Sequence, residues 1–114
     1  MRFIVPVATA LVVLFSSLVQ AQVYSDDQYE SIRQLGRLNG VALNCQYLGE
    51  TRRMKKALVV ALPKRRQLGE LFDTETNSAF LEFIEKKREC PLEAKLSLQV
   101  DDAILALDKA FADQ

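Results

Sequence analysis

Two cysteines in a short chain whose first residues are expected to be an export leader constrain this sequence more than any other feature. Cys45 and Cys90 are the only cysteines, and an even count in an exported chain is expected to pair as a disulfide. Such a bridge would close a loop of about 46 residues and contribute roughly 4 kcal/mol in the chain-entropy view. That is a large share of the roughly 5–15 kcal/mol that holds a domain together. The competing reading is two separate buried thiols. A redox-active pair is disfavoured, because the spacing is not C-x-x-C.

Export is expected from residues 1–21. Met1-Arg2 forms a short positive start, and Phe3 to Leu18 is apolar apart from Thr9, Ser16 and Ser17. Val19-Gln20-Ala21 follows, with short side chains where a signal peptidase reads, so cleavage is expected after Ala21. An uncleaved anchor is the alternative. Against it, the apolar run is shorter than the roughly 20 residues that cross a bilayer, and Pro6 and the serines interrupt it. No stable membrane insertion is expected after cleavage. The mature chain, 22–114, has the length of one domain, small enough for a covalent staple to matter.

The full chain carries 15 Lys and Arg against 15 Asp and Glu, so loss of Arg2 with the leader leaves a net charge of −1. The near-balance conceals an asymmetry. Arg52, Arg53, Lys55, Lys56, Lys64, Arg65 and Arg66 follow one another with no acid between Thr51 and Gly69. Asp101, Asp102, Asp108 and Asp113 gather near the C-terminal end, where Lys95 and Lys109 are the basic residues. The mature protein is therefore expected to be an electric dipole.

The pattern along the mature chain is helical, and the expected fold is an all-α bundle of four or five helices. Asp26 or Asp27 is suited to cap a first helix running to about Leu48, with Gly49 beyond its end. On a helical wheel Tyr29, Ile32, Leu43 and Tyr47 share a face with Gly36 and Gly40, and Leu38, Val41, Ala42, Cys45 and Leu48 form a second apolar side. A helix apolar on two sides belongs between neighbours. The two glycines cost about 1 kcal/mol each in propensity, which close approach of another helix would offset. Thr51 is expected to cap a second helix ending at Pro63, with Met54, Ala57, Leu58, Ala61 and Leu62 inward. A short buried strand over 57–62 is the alternative. Pro63 would open a short third helix bearing Leu68, Leu71 and Phe72. Asp73, Thr74 or Thr76 would cap a fourth, with Phe80, Phe83 and Ile84 inward. Pro91 would open the last, whose stripe is Leu92, Leu96, Val100, Ala103, Leu107, Ala110 and Phe111. The bridge would then tie the end of the first helix to the start of the last.

No catalytic or cofactor motif is present. The sequence has no His, which removes His-based triads, bases and metal ligands, and a disulfide would consume both thiolates. Asp26-Asp27 and Asp101-Asp102 are adjacent pairs, which diverge by about 100° on a helix. Glu82, Glu85 and Glu89 are interleaved with Lys86, Lys87 and Arg88, the pattern of a solvated face. The expected function is therefore binding, not catalysis, and no cofactor or metal is expected. The chain reads as a small periplasmic or secreted adaptor: an envelope accessory subunit, a chaperone, or an inhibitor or immunity protein. The alternative is electrostatic binding of lipid headgroups, lipopolysaccharide or nucleic acid through the basic 52–66 segment. Nucleic acid is disfavoured, because no aromatic residue lies between Tyr47 and Phe72 to stack on a base. The candidate partner surface combines Arg52, Arg53, Lys55, Lys56, Val59, Lys64, Arg65 and Arg66 with Leu98 and Leu105 on the outer side of the last helix. The expected partner is another protein, a second copy of the chain included.

Overall fold

The structure is a computed structural model that describes residues 23–113; the expected leader and its cleavage site lie outside the described residues. Among the described residues there are four helices, α1 (Asp26–Asn44), α2 (Leu48–Ala61), α3 (Arg66–Glu85) and α4 (Glu93–Ala110), and no strand. Residues 57–61 are thus helical, which resolves the choice between helix and strand that periodicity leaves open.

α1 starts one residue earlier than its two aspartates suggest. Ser25 is the N-cap, and its hydroxyl accepts from the Gln28 amide while the Gln28 side chain accepts from the Ser25 amide, a reciprocal capping box. Asp26 and Asp27 fall in the first turn, where negative charge suits the helix dipole. The helix also ends early. Gln46 adopts φ 60°, and the Gln46 and Tyr47 amides donate to the Leu43 and Ala42 carbonyls. This is the paired closure that usually places glycine at the left-handed position. The available glycine, Gly49, instead lies inside α2. α3 ends the same way, with Lys87 at φ 50° and the Lys87 and Arg88 amides donating to Ile84 and Phe83. A non-glycine residue held there costs about 1 kcal/mol or more. Gln46→Gly is therefore expected to stabilise the fold by up to about 1 kcal/mol, net of the added freedom of the unfolded chain. Urea unfolding, with an unchanged slope and a raised midpoint, checks this.

The expected third and fourth helices are one. α3 runs unbroken through Asp73, Thr74 and Thr76: Asp73 and Thr74 are exposed on the helix surface, while Thr76 is buried in the seam with α1, where its hydroxyl accepts from Asn39. The prolines also sit differently. Pro63 and Pro91 precede their helices, whose N-caps are Arg65 and Leu92. Thr51 is not a cap but a buried residue within α2. Leu92 and Ile84, expected inward, are exposed.

α1 is the central helix and touches all three others, most extensively α3. Its pairing with α3 is parallel: Gly36 meets Phe72, Glu75 and Thr76, and Gly40 meets Thr76, Ala79 and Phe80. α4 runs antiparallel to α1, with the Gln28 side chain donating to the Ala110 carbonyl and Tyr24 against Phe111. The core is Ile32 and Leu35 of α1, Met54 and Leu58 of α2, Leu68 and Phe72 of α3, and Leu96, Val100, Ala103 and Leu107 of α4, closed by Tyr24 and Phe111. The disulfide joins Cys45, the C-cap of α1, to Cys90 in the α3–α4 connection, with Cα atoms 5.7 Å apart. Beside it the Tyr47 hydroxyl donates to the Pro91 carbonyl at 2.8 Å.

Candidate interaction surface

Two helices build the surface on which the sequence-predicted residues gather. α2 turns Met54 and Leu58 into the core, and at 100° per residue this sends Lys56, Arg52, Val59 and Val60 outward. Val59 and Val60 are each 77% exposed. α4 buries Leu96, Val100, Ala103 and Leu107, so its opposite pole carries Leu98 and Leu105, 65% and 67% exposed. Asp101 and Asp102 lie between them.

The two helices lie side by side and run parallel. Their fixed point is Arg53. Its guanidinium donates to Asp101 Oδ1 at 2.7 Å, to Glu50 Oε2 at 2.8 Å, and to the Ser97 carbonyl at 3.2 Å. Hydrogen bonding to Asp101, then to Glu50, holds its pKa above the ordinary arginine value. Glu50 is buried, and an unpaired charge there would be expensive. Arg53 therefore serves the bundle: it neutralises Glu50 and pins α2 to α4. Further along, Arg53, Lys56, Ala57, Val60, Ile104 and Asp108 line a shallow groove between the two helices. Lys56 and Asp108 both border it, and no ion pair joins them among the described residues.

The structure thus brings Arg52, Lys56, Val59, Leu98 and Leu105 toward one outer face, with Arg53, itself exposed, bridging the seam between the two helices. Lys55 falls on the edge of α2 away from α4. Lys64, Arg65 and Arg66 lie past the end of α2, where Leu58, Val59, Leu62, Pro63, Lys64, Arg65 and Gly69 form a second shallow groove. Val60 and Asp108 belong to the first groove; the sequence turns Val60 toward the basic side chains and places Asp108 in the acidic C-terminal group, but neither is among the residues of the candidate partner surface. Their signal was available: both follow the outward phase of their helices.

Among the described residues no three Cys, Asp or Glu side chains gather as a metal site, and no helix is long and apolar enough to cross a membrane. No family model, curated protein or solved structure matches the chain.

Proposed function

We propose that the chain is an exported helical adaptor of the cell envelope that docks a protein through the outer face of α2 and α4. The observation that carries this reading is the exposure of Val59, Val60, Leu98 and Leu105 on adjacent helices, bordered by cations on one side and carboxylates on the other. Apolar residues inside a polar, charged rim are the anatomy of a docking site, and the mixed signs suit a protein better than a uniformly anionic surface. The disulfide accords with an oxidising compartment, periplasmic or extracellular. The accessory-subunit, chaperone and inhibitor roles all fit this surface.

A second reading has its own observation. The apolar groove beside Lys64 and Arg65 is suited to an anionic amphiphile such as a lipid, and it is separate from the carboxylates of α4.

The test is affinity capture from an envelope extract with the unmodified protein and with Arg52→Glu, Lys56→Glu. The double reversal is expected to abolish capture with the melting temperature nearly unchanged, since neither side chain forms an ion pair among the described residues. High salt on the unmodified protein should do the same. Equal capture by both proteins at both salt concentrations would show a merely solvated face.

A further inference from the structure

We propose, resting on the docking reading above, that the α2–α4 face pairs with the same face of a second copy, about a two-fold axis parallel to the two helices. A closed pair presents one patch to itself, so the patch must be self-complementary. This one is, because each half carries what the other lacks. α2 offers Arg52 and Lys56 with Val59 and Val60; α4 offers Asp102 and Asp108 with Leu98 and Leu105, and every one of these residues is exposed.

The register follows from the parallel arrangement. Arg53 reaches Ser97 and Asp101, and Ala57 and Val60 share a groove with Ile104 and Asp108. With about 1.5 Å of rise per residue in both helices, these anchors set Lys56 near the height of Asp102 and Val59 near that of Leu105. A two-fold axis parallel to the helices preserves height while exchanging α2 for α4. It therefore lays Lys56 of each copy on Asp102 of the other, and Val59 on Leu105, twice over. A two-fold axis across the helices would instead set α2 antiparallel on α2, bringing the basic face that carries Arg52 and Lys56 against the same basic face of the other copy, and like charges brought together are repelled. A uniformly anionic lipid surface meets the same objection from Asp102 and Asp108. Arg53 and Asp101 are already paired within the chain, so the pairing uses the neighbouring charges and leaves that link intact.

The experiment reverses each half separately in the disulfide-bonded protein. One variant is Arg52→Glu with Lys56→Glu; the other is Asp102→Lys with Asp108→Lys. Each is expected to keep its melting temperature and to raise the dimer dissociation constant at least tenfold in sedimentation equilibrium. Mixed in equal amounts, they should regain a one-to-one dimer, because α2 of each then faces a charge-complementary α4 of the other at both contacts. Native mass spectrometry resolves that heterodimer. An unmodified protein that stays monomeric up to about 1 mM, a range that includes weak associations, overturns the pairing, as does a mixture that fails to recover. Stronger binding of Asp102→Lys, Asp108→Lys to phosphatidylglycerol vesicles, with no dimer formed, overturns it in favour of lipid. A monomer whose capture is still abolished by Arg52→Glu, Lys56→Glu overturns the self-pairing alone; unaffected capture overturns the docking reading as well.

Discussion

Gly40→Ala is expected to lower the melting temperature, although helix propensity taken alone predicts a gain of about 1 kcal/mol. A Cβ at Gly40 would lie 2.7 Å from the Phe80 amide nitrogen, 2.8 Å from the Thr76 carbonyl oxygen and 2.7 Å from Ala79 Cβ. Two of those neighbours are backbone, which no rotamer change can move. α3 must shift away from α1, and the shift weakens what surrounds the contact: the buried Asn39–Thr76 hydrogen bond and the Asn44 amide's bond to the Phe80 carbonyl. Overpacking of this kind costs roughly 1–3 kcal/mol, or about 4–8 °C per kcal/mol in a domain of this size. Gly40→Leu should exceed that. The internal control is Gly69→Ala, within the first turn of α3, where a Cβ meets nothing within 4 Å. There propensity acts alone, and a gain of up to about 1 kcal/mol is expected. Thermal unfolding followed by circular dichroism reads both. A stabilised Gly40→Ala would mean that α1 and α3 do not touch backbone to backbone.

That contact was legible in the sequence because glycines four apart on an apolar helix face have few other uses. The amphipathic stripe of α4 was legible for a similar reason: its periodicity is long and uninterrupted, and Leu96, Val100, Ala103 and Leu107 are all buried. What the sequence obscured were places where tertiary geometry overrides a local signal. Gly49 resembles a helix stop, but α1 ends at Asn44 and closes through Gln46 at the left-handed position, where the chain turns beside the disulfide to begin α2. Asp73, Thr74 and Thr76 resemble cap residues, but Thr76 serves as a buried hydroxyl facing Asn39. Leu35 and Asn39, both fully buried, were not among the expected core. Asn39 is polar, and its Oδ1 has no hydrogen-bond partner among the described residues, so nothing in composition marks it as interior. At the candidate surface the outward valines and leucines were readable from helical phase. The role of Arg53 was not, because a basic residue in a basic run carries no sign that its partners are Glu50 on its own helix and Asp101, 48 residues further on.

Replacing Cys45 and Cys90 together by serine is expected to have the largest effect of any change to the chain. The bridge spans 45 positions of sequence, and releasing such a loop costs roughly 4 kcal/mol through the entropy of the unfolded state. At about 4–8 °C per kcal/mol, that is a loss of roughly 15 °C or more. The arrangement of helices says where the loss begins. α3 packs mainly on α1, and its last turns contribute Phe83 but nothing to the central cluster. Past Glu85 the chain is held by the closing turn at Lys87, the Tyr47–Pro91 hydrogen bond and the disulfide. Without the disulfide, the end of α3 and the connection to α4 should open before the core does, as a local unfolding well below the global free energy. Hydrogen exchange separates the two scales. Amides over 80–90 should lose protection in the serine variant, while those around Ile32, Met54 and Val100 keep the protection that global stability allows. The unmodified protein should resist alkylation until reduced, although Cys90 is exposed, because neither sulfur is then a thiol. Free reaction of both cysteines in the native unreduced protein would refute the bridge. A melting temperature unchanged in the serine variant would show instead that the α1–α3 contact and the Tyr47–Pro91 bond close this end of the bundle unaided.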